Sequence, residues 1–204
     1  MNGRPLAGTI AACARVITGA QATWRGGAPA PGQTVFFANH TSHLDFVVLW
    51  ACLPPALRAQ TRPVAARDYW SSGMRRYFAV DIFNALLVSR HGGENSARET
   101  IDQIAAEMGE AYSLIIFPEG TRGDGETVAP FKSGLYHLCM QKPGVQLVPV
   151  YLENLNRILP KGQFLPVPLI SRVTFGAPSL FDRSEPKAAF CERMHDAVCA
   201  LRES

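Results

Sequence analysis

No run of about 18 consecutive apolar residues occurs anywhere in the 204-residue chain, so a membrane-spanning helix is not expected. The longest apolar run, Phe46 to Leu53, has the length of a buried helix segment. The N-terminus lacks the basic n-region, long apolar core and small-residue cleavage site of a secretory signal. Cys-x-x-Cys is absent. The five cysteines, Cys13, Cys52, Cys139, Cys191 and Cys199, are odd in number and scattered, which argues against a disulfide framework and for reduced thiols in a cytosolic setting. Neither a zinc-knuckle spacing nor a basic stripe interleaved with aromatics is present, and a net charge of +3 is too small for a nucleic-acid footprint. A Gly-x-Ser-x-Gly elbow, an internal repeat and a low-complexity tract are missing as well.

Core-forming material is plentiful. Hydrophobic residues make up 47% of the chain and charged residues 18%, enough to fill a core, and the length suits one domain with a small appendage. Short apolar runs at Thr34–Ala38, Pro63–Ala66, Leu86–Ser89, Leu114–Phe117 and Leu147–Leu152 read as strands, with Val173–Phe175 as an added edge strand. Between them lie helical patterns at His43–Leu53 (stopped by Pro54-Pro55), Asp68–Phe83 and a segment opened by the capping box Ser96/Glu99. That last segment places Ile101, Ile104, Ala105 and Met108 on one face. A final helix is expected over Glu185–Arg202. Strands alternating with helices predict an α/β fold around a largely parallel central sheet flanked by helices, with its site at the carboxyl ends of strands.

Two constellations fall at such ends. In Asn39-His40-Thr41-Ser42-His43-Leu44-Asp45, a histidine titrating near neutrality could accept a hydroxyl proton while Asp45 orients its ring. The same residues also read as a plain helix start with Ser42 as cap, or as His40, His43 and Asp45 around a metal, though zinc catalysis wants three ligands and an open position. The second constellation is Phe117-Pro118-Glu119-Gly120-Thr121-Arg122, where Arg122 offers a planar fork for phosphate. Phe131-Lys132-Ser133-Gly134 follows with a second cation. The alternative is an ordinary turn carrying a Glu–Arg surface pair. By chance, Pro-Glu-Gly-Thr-Arg would occur in about one in ten thousand chains of this length.

Together these blocks resemble the glycerolipid acyltransferase family, whose best-known members are 1-acylglycerol-3-phosphate acyltransferases. The likeness rests on Asn39-His40 with Asp45, Phe117–Arg122, Phe131–Gly134 and Val148-Pro149-Val150, and covers residues 33 to 155. It implies a fatty acyl transfer from acyl-CoA or acyl carrier protein to the free hydroxyl of a lysophospholipid, in phospholipid biosynthesis, with no metal, cofactor or covalent intermediate. His40 would be the base and Asp45 its orienting partner. Glu119, Gly120 and Thr121 would belong to the acceptor loop, with Arg122, Lys132 and Arg90 as phosphate contacts. The sequence departs from the family at Asn84, near the position usually held by glycine. A thioester or ester hydrolase using Ser42 or Cys139, or an inactive lipid-binding relative, are the alternatives.

Residues 29–204 would then form the acyltransferase domain, and 1–28 an N-terminal amphipathic segment. At 100° per residue Leu6, Ile10, Cys13, Ile17 and Trp24 form one stripe, with Arg15 opposite. Two readings remain open for this helix: one lying on the cytoplasmic side of a membrane as a peripheral anchor, or one packed into the core.

Overall fold

The run Thr34–Ala38 is buried along its whole length, as a strand covered on both faces must be. In the computed structural model, which describes residues 4–70, 73–89, 94–155 and 170–202, this strand (β2) lies at the middle of a seven-stranded sheet. From edge to edge the order is β1 (Gln21–Trp24), β7 (Arg172–Phe175), β6 (Gln146–Glu153), β2, β5 (Ser113–Ile116), β3 (Thr61–Ala66) and β4 (Leu86–Val88). Every neighbouring pair is parallel except β6 with β7.

Alternation along β2 divides the core in two. Phe36 and Ala38 join the cluster that includes Ala11 of helix α1 (Arg4–Ile17) and Val48 and Leu49 of α2 (Asp45–Cys52). Val35 and Phe37 join the opposite cluster with Ile104 and Met108 of α6 (Glu94–Met108), Leu138 of α7 (Gly134–Gln141) and Phe190 of α8 (Lys187–Cys199). Between α2 and β4 lie the short helices α3 (Pro55–Ala59), α4 (Arg67–Trp70) and α5 (Gly73–Tyr77) and a π-helical turn, Phe78–Ile82. The helical pattern expected over Asp68–Phe83 is thus several short pieces. The capping box is corrected: α6 already starts at Glu94, so Ser96 lies inside the helix and not at its cap, while the turn His91-Gly92-Gly93 lies outside the described residues.

The N-terminal stripe is corrected. Helix α1 ends at Ile17 because Gly19 (φ +54°) closes a left-handed cap, with Ala20 N–H donating to Arg15 O at 2.9 Å and Gly19 N–H to Val16 O at 3.3 Å. Trp24 therefore sits on β1, not on the helix, and stacks on Phe175 with ring centroids 3.9 Å apart. β1 in turn pairs with β7, so Val173–Phe175 is an inner strand and β1 takes the edge.

Pro149 occupies an inner strand, where a missing N–H is usually costly. Leu147 exchanges backbone bonds with Ser179 on the β7 side, and by period two the Pro149 nitrogen faces that side too. There the ladder breaks after Val150↔Phe175, so the parallel pairing with β2 loses no donor. Asn84 adopts φ +49°, a left-handed conformation that asparagine tolerates better than most residues. Asn84 thus supplies the left-handed turn just before β4.

Candidate active site

β2 and β5 are adjacent and parallel, with Phe37 level with Ile116, so their carboxyl ends bring Asn39-His40 beside Phe117–Gly120. Asn39 extends the join of β2 to β6: its amide donates to Leu152 O at 3.0 Å and accepts from Leu152 N–H at 2.8 Å. The next residue, His40, stacks its ring on Phe117 with centroids 4.3 Å apart. His40 Nδ1 lies 2.8 Å from Asp45 Oδ2. A carboxylate there accepts from Nδ1–H and leaves Nε2 with its lone pair.

Asp45 is 0% exposed. Its Oδ2 also accepts from Thr41 N–H at 2.6 Å and Ser42 N–H at 2.8 Å, so the carboxylate folds the turn it belongs to. The helix-start reading holds beside the pairing with His40: Asp45 Oδ2 accepts from Ser42 N–H three residues back, and Ser42 Oγ accepts from Leu44 N–H at 3.3 Å. The helix starts at Asp45, later than the expected His43, with Leu44 at the cap position and no side-chain cap.

Glu119, 3% exposed, forms no surface pair with Arg122. Its Oε1 accepts from His40 N–H at 2.6 Å and its Oε2 from Ala129 N–H at 3.1 Å. Burial pushes its carboxyl up from the ordinary range, against the lowering effect of those two donors. Gly123 N–H donates to His40 O at 2.8 Å, so both backbone groups of His40 are held by the 119–123 segment. Gly120 (φ +73°) closes the turn by donating to Phe117 O. A Cβ there would lie 2.8 Å from Lys132 Nζ, which places the ammonium directly over this glycine.

A cavity of about 1510 Å³ opens at this edge of the sheet, walled by His40, Gly120, Thr121, Arg122 and Lys132. It continues over Val64, Ile101, Ile104, Ile116 and Leu135, an apolar slot between the sheet and helices α6 and α7. The structure thus gathers His40, Asp45, Gly120, Thr121, Arg122 and Lys132 at one place, while Glu119 stands behind the wall. Arg90 lies outside the described residues. Ser42 and Cys139 do not line the cavity, and burial pushes the Cys139 thiol up to about 12, which deprives a hydrolase of both nucleophiles. Phe117, the stacking platform for His40, and Asn39, the clamp before it, had no role assigned from sequence. Both stood inside the quoted motifs, but stacking and strand clamping carry no spacing signal.

A family model described as Acyltransferase matches residues 23–153. A 1-acyl-sn-glycerol-3-phosphate acyltransferase of Escherichia coli (strain K12) is 28% identical over 140 residues, covering 62% of this chain and 52% of that protein. The 1-acyl-sn-glycerol-3-phosphate acyltransferase alpha of Homo sapiens is 30% identical over 129 residues, covering 62% and 42%. The chain spans about half the length of the curated relatives it matches. Among solved structures, a 1-acyl-sn-glycerophosphate acyltransferase from Thermotoga maritima aligns with a TM-score of 0.74 at 18% identity, covering 98% of this chain and 78% of that one.

Proposed function

Because the chain belongs to the Acyltransferase family, we propose that it moves a fatty acyl group from a thioester donor, acyl-CoA or acyl carrier protein, to the free hydroxyl of 1-acylglycerol-3-phosphate. The observation that carries this reading is the meeting of a His40–Asp45 pair with Arg122 and Lys132 on one cavity that has an apolar slot. The base is needed for the hydroxyl, the two cations suit a phosphate monoester, and the slot suits an acyl chain.

In the proposed reaction His40 Nε2 takes the hydroxyl proton as the oxygen attacks the thioester carbonyl carbon. The C–S bond breaks, the new ester forms, and the departing thiolate receives the proton that His40 took up. Asp45 stabilises the imidazolium formed in between. Glu119 acts by holding His40 and the loop rather than by touching the acceptor. No metal or other cofactor is required by this chemistry.

No helix among the described residues is long and apolar enough to cross a membrane. We place the protein as a peripheral partner of the cytoplasmic face, where its amphiphilic acceptor resides. The test of function is release of free thiol from acyl-CoA with and without 1-acylglycerol-3-phosphate. Release that depends on the acceptor supports transfer. Release without it would mean hydrolysis, and none with either acyl-CoA or acyl carrier protein as donor would mean an inactive relative.

A further inference from the structure

Phe117 follows β5 directly, and its phenyl lies face to face with the His40 imidazole, ring centroids 4.3 Å apart and planes 22° from parallel. The backbone holds both rings in place. Gly120 N–H donates to Phe117 O at 3.0 Å and Lys132 N–H to Pro118 O at 2.9 Å, which pins the turn that begins at Phe117. His40 is tied to the same turn through Glu119 and Gly123. Phe117 also packs against the core cluster that contains Phe36 and Phe46, so its ring is backed by buried side chains.

The imidazole therefore has three distinct sides. Nδ1 meets Asp45 Oδ2 at 2.8 Å, one face meets Phe117, and the ring borders the cavity that Phe117 lines as well. During transfer His40 passes from neutral to cationic and back. A phenyl ring carries negative charge density on its face, so it attracts an imidazolium and does little for a neutral imidazole. The His40 side chain is 15% exposed, so water competes weakly for that charge and the attraction lies toward the upper part of its range. An aliphatic side chain of similar bulk would desolvate the same cation and offer no charge density in return. An interaction that strengthens only once the proton has moved acts on turnover rather than on binding.

Resting on the acyl-transfer reading above, we infer that Phe117 is a positioning residue for that reaction. Its ring face fixes the plane of the His40 imidazole and stabilises the imidazolium formed when the acceptor hydroxyl gives up its proton. Asp45 acts on the same cation from the edge of the ring. Phe117 moves no proton itself.

The test replaces Phe117 by mono-, di- and trifluorinated phenylalanines, which keep the shape of the ring while draining charge density from its face. His43, Asp45, Glu119, Arg122 and Lys132, the titratable groups that share this end of the cavity or stand behind it, stay unchanged throughout. The kcat should fall stepwise along the series, with donor and acceptor KM little changed. The same series at Phe83, a buried ring outside the cavity that packs edge-on against Phe46 and Trp50, should leave kcat flat. Phe117→Leu, which keeps apolar bulk without the aromatic face, should lose about 5- to 30-fold in kcat. NMR of the His40 ring with no substrate present gives a second readout: the pH at which the ring takes up its proton should drop with each added fluorine. If no donor supports transfer, the function reading fails, and this titration still decides the Phe117 contact. If Phe117→Leu does not fold, the fluorinated series decides alone. A kcat that stays flat or rises along the series, a folded Phe117→Leu protein with full kcat, or a His40 protonation midpoint that fluorine does not move overturns the inference.

Discussion

Asp45 loads three donors onto Oδ2 while its buried Oδ1 meets no protein donor. That one-sided loading locks the carboxylate toward the imidazole. Asn in its place must bury an amide N–H₂ where no acceptor waits and loses the charge that stabilises an imidazolium. His40→Ala should lower turnover about 10²–10⁴-fold with folding intact, and Asp45→Asn should fall in the same range; a folded His40→Ala protein with near-normal turnover would refute the base assignment. Glu119 gives a pH signature. Its folded-state pKa is raised by burial, so its contribution to stability is fully present below the ordinary glutamate value of about 4.3 and is lost as pH rises through the raised value. Glu119→Gln sets an amide N–H₂ against a backbone N–H and should cost about 1–3 kcal/mol. The wild type's advantage over it, followed by urea unfolding between about pH 4 and 7, should narrow as pH climbs. A widening gap would contradict the burial argument.

Helix α1 packs one face into the core and leaves another exposed. Ala7, Ala11 and Ala14 pack toward the α2 side of the core. Leu6, Cys13, Val16 (81% exposed) and Ile17 (54% exposed) look outward. Ile170, 57% exposed, is brought near Ile17 because Ser171 N–H donates to Thr18 O. An apolar patch of this kind suits a membrane interface. Val16→Ser/Ile17→Ser should leave unfolding unchanged and reduce flotation with anionic liposomes; undiminished flotation would move the anchor elsewhere. Helix α8 steadies the loop that follows Glu119. Arg202 Nη1 donates to Glu126 O at 2.6 Å, and His195 Nε2 reaches Val128 O at 3.1 Å, just before the Ala129 N–H bonded to Glu119. His195→Ala should raise acceptor KM about 2–10-fold, the worth of a neutral hydrogen bond, with donor KM little changed. His195→Gln, which restores a donor, should recover part of the loss. An equal rise in both KM values would indicate general loosening instead.

Across the whole molecule, β2 is flanked by β5 and β6 and covered on both faces, whereas β1 is a sheet edge with three of its four residues exposed. Native-state hydrogen exchange should therefore find the slowest amides in β2 and its partners and faster ones in β1; equal protection of β1 would mean a more uniform cooperative unit. Much of this architecture was legible beforehand. Apolar runs located six of the seven strands, since a strand buried on both faces must be continuously apolar, and motif chemistry named His40, Asp45, Arg122 and Lys132. β1 was missed because helical periodicity carried through Gly19 to Trp24, and only the φ of that glycine together with pairing to β7 decides otherwise. The sequence alone determined the fold class and marked His40, Asp45, Arg122 and Lys132 as candidate site residues, because residue type and local spacing encode them. Tertiary structure decided what depends on contacts between distant segments. The parallel pairing of β2 with β5 carries Glu119 back to the His40 backbone across 79 positions. The same assembly buries Glu119 as a brace between the His40 and Ala129 backbones.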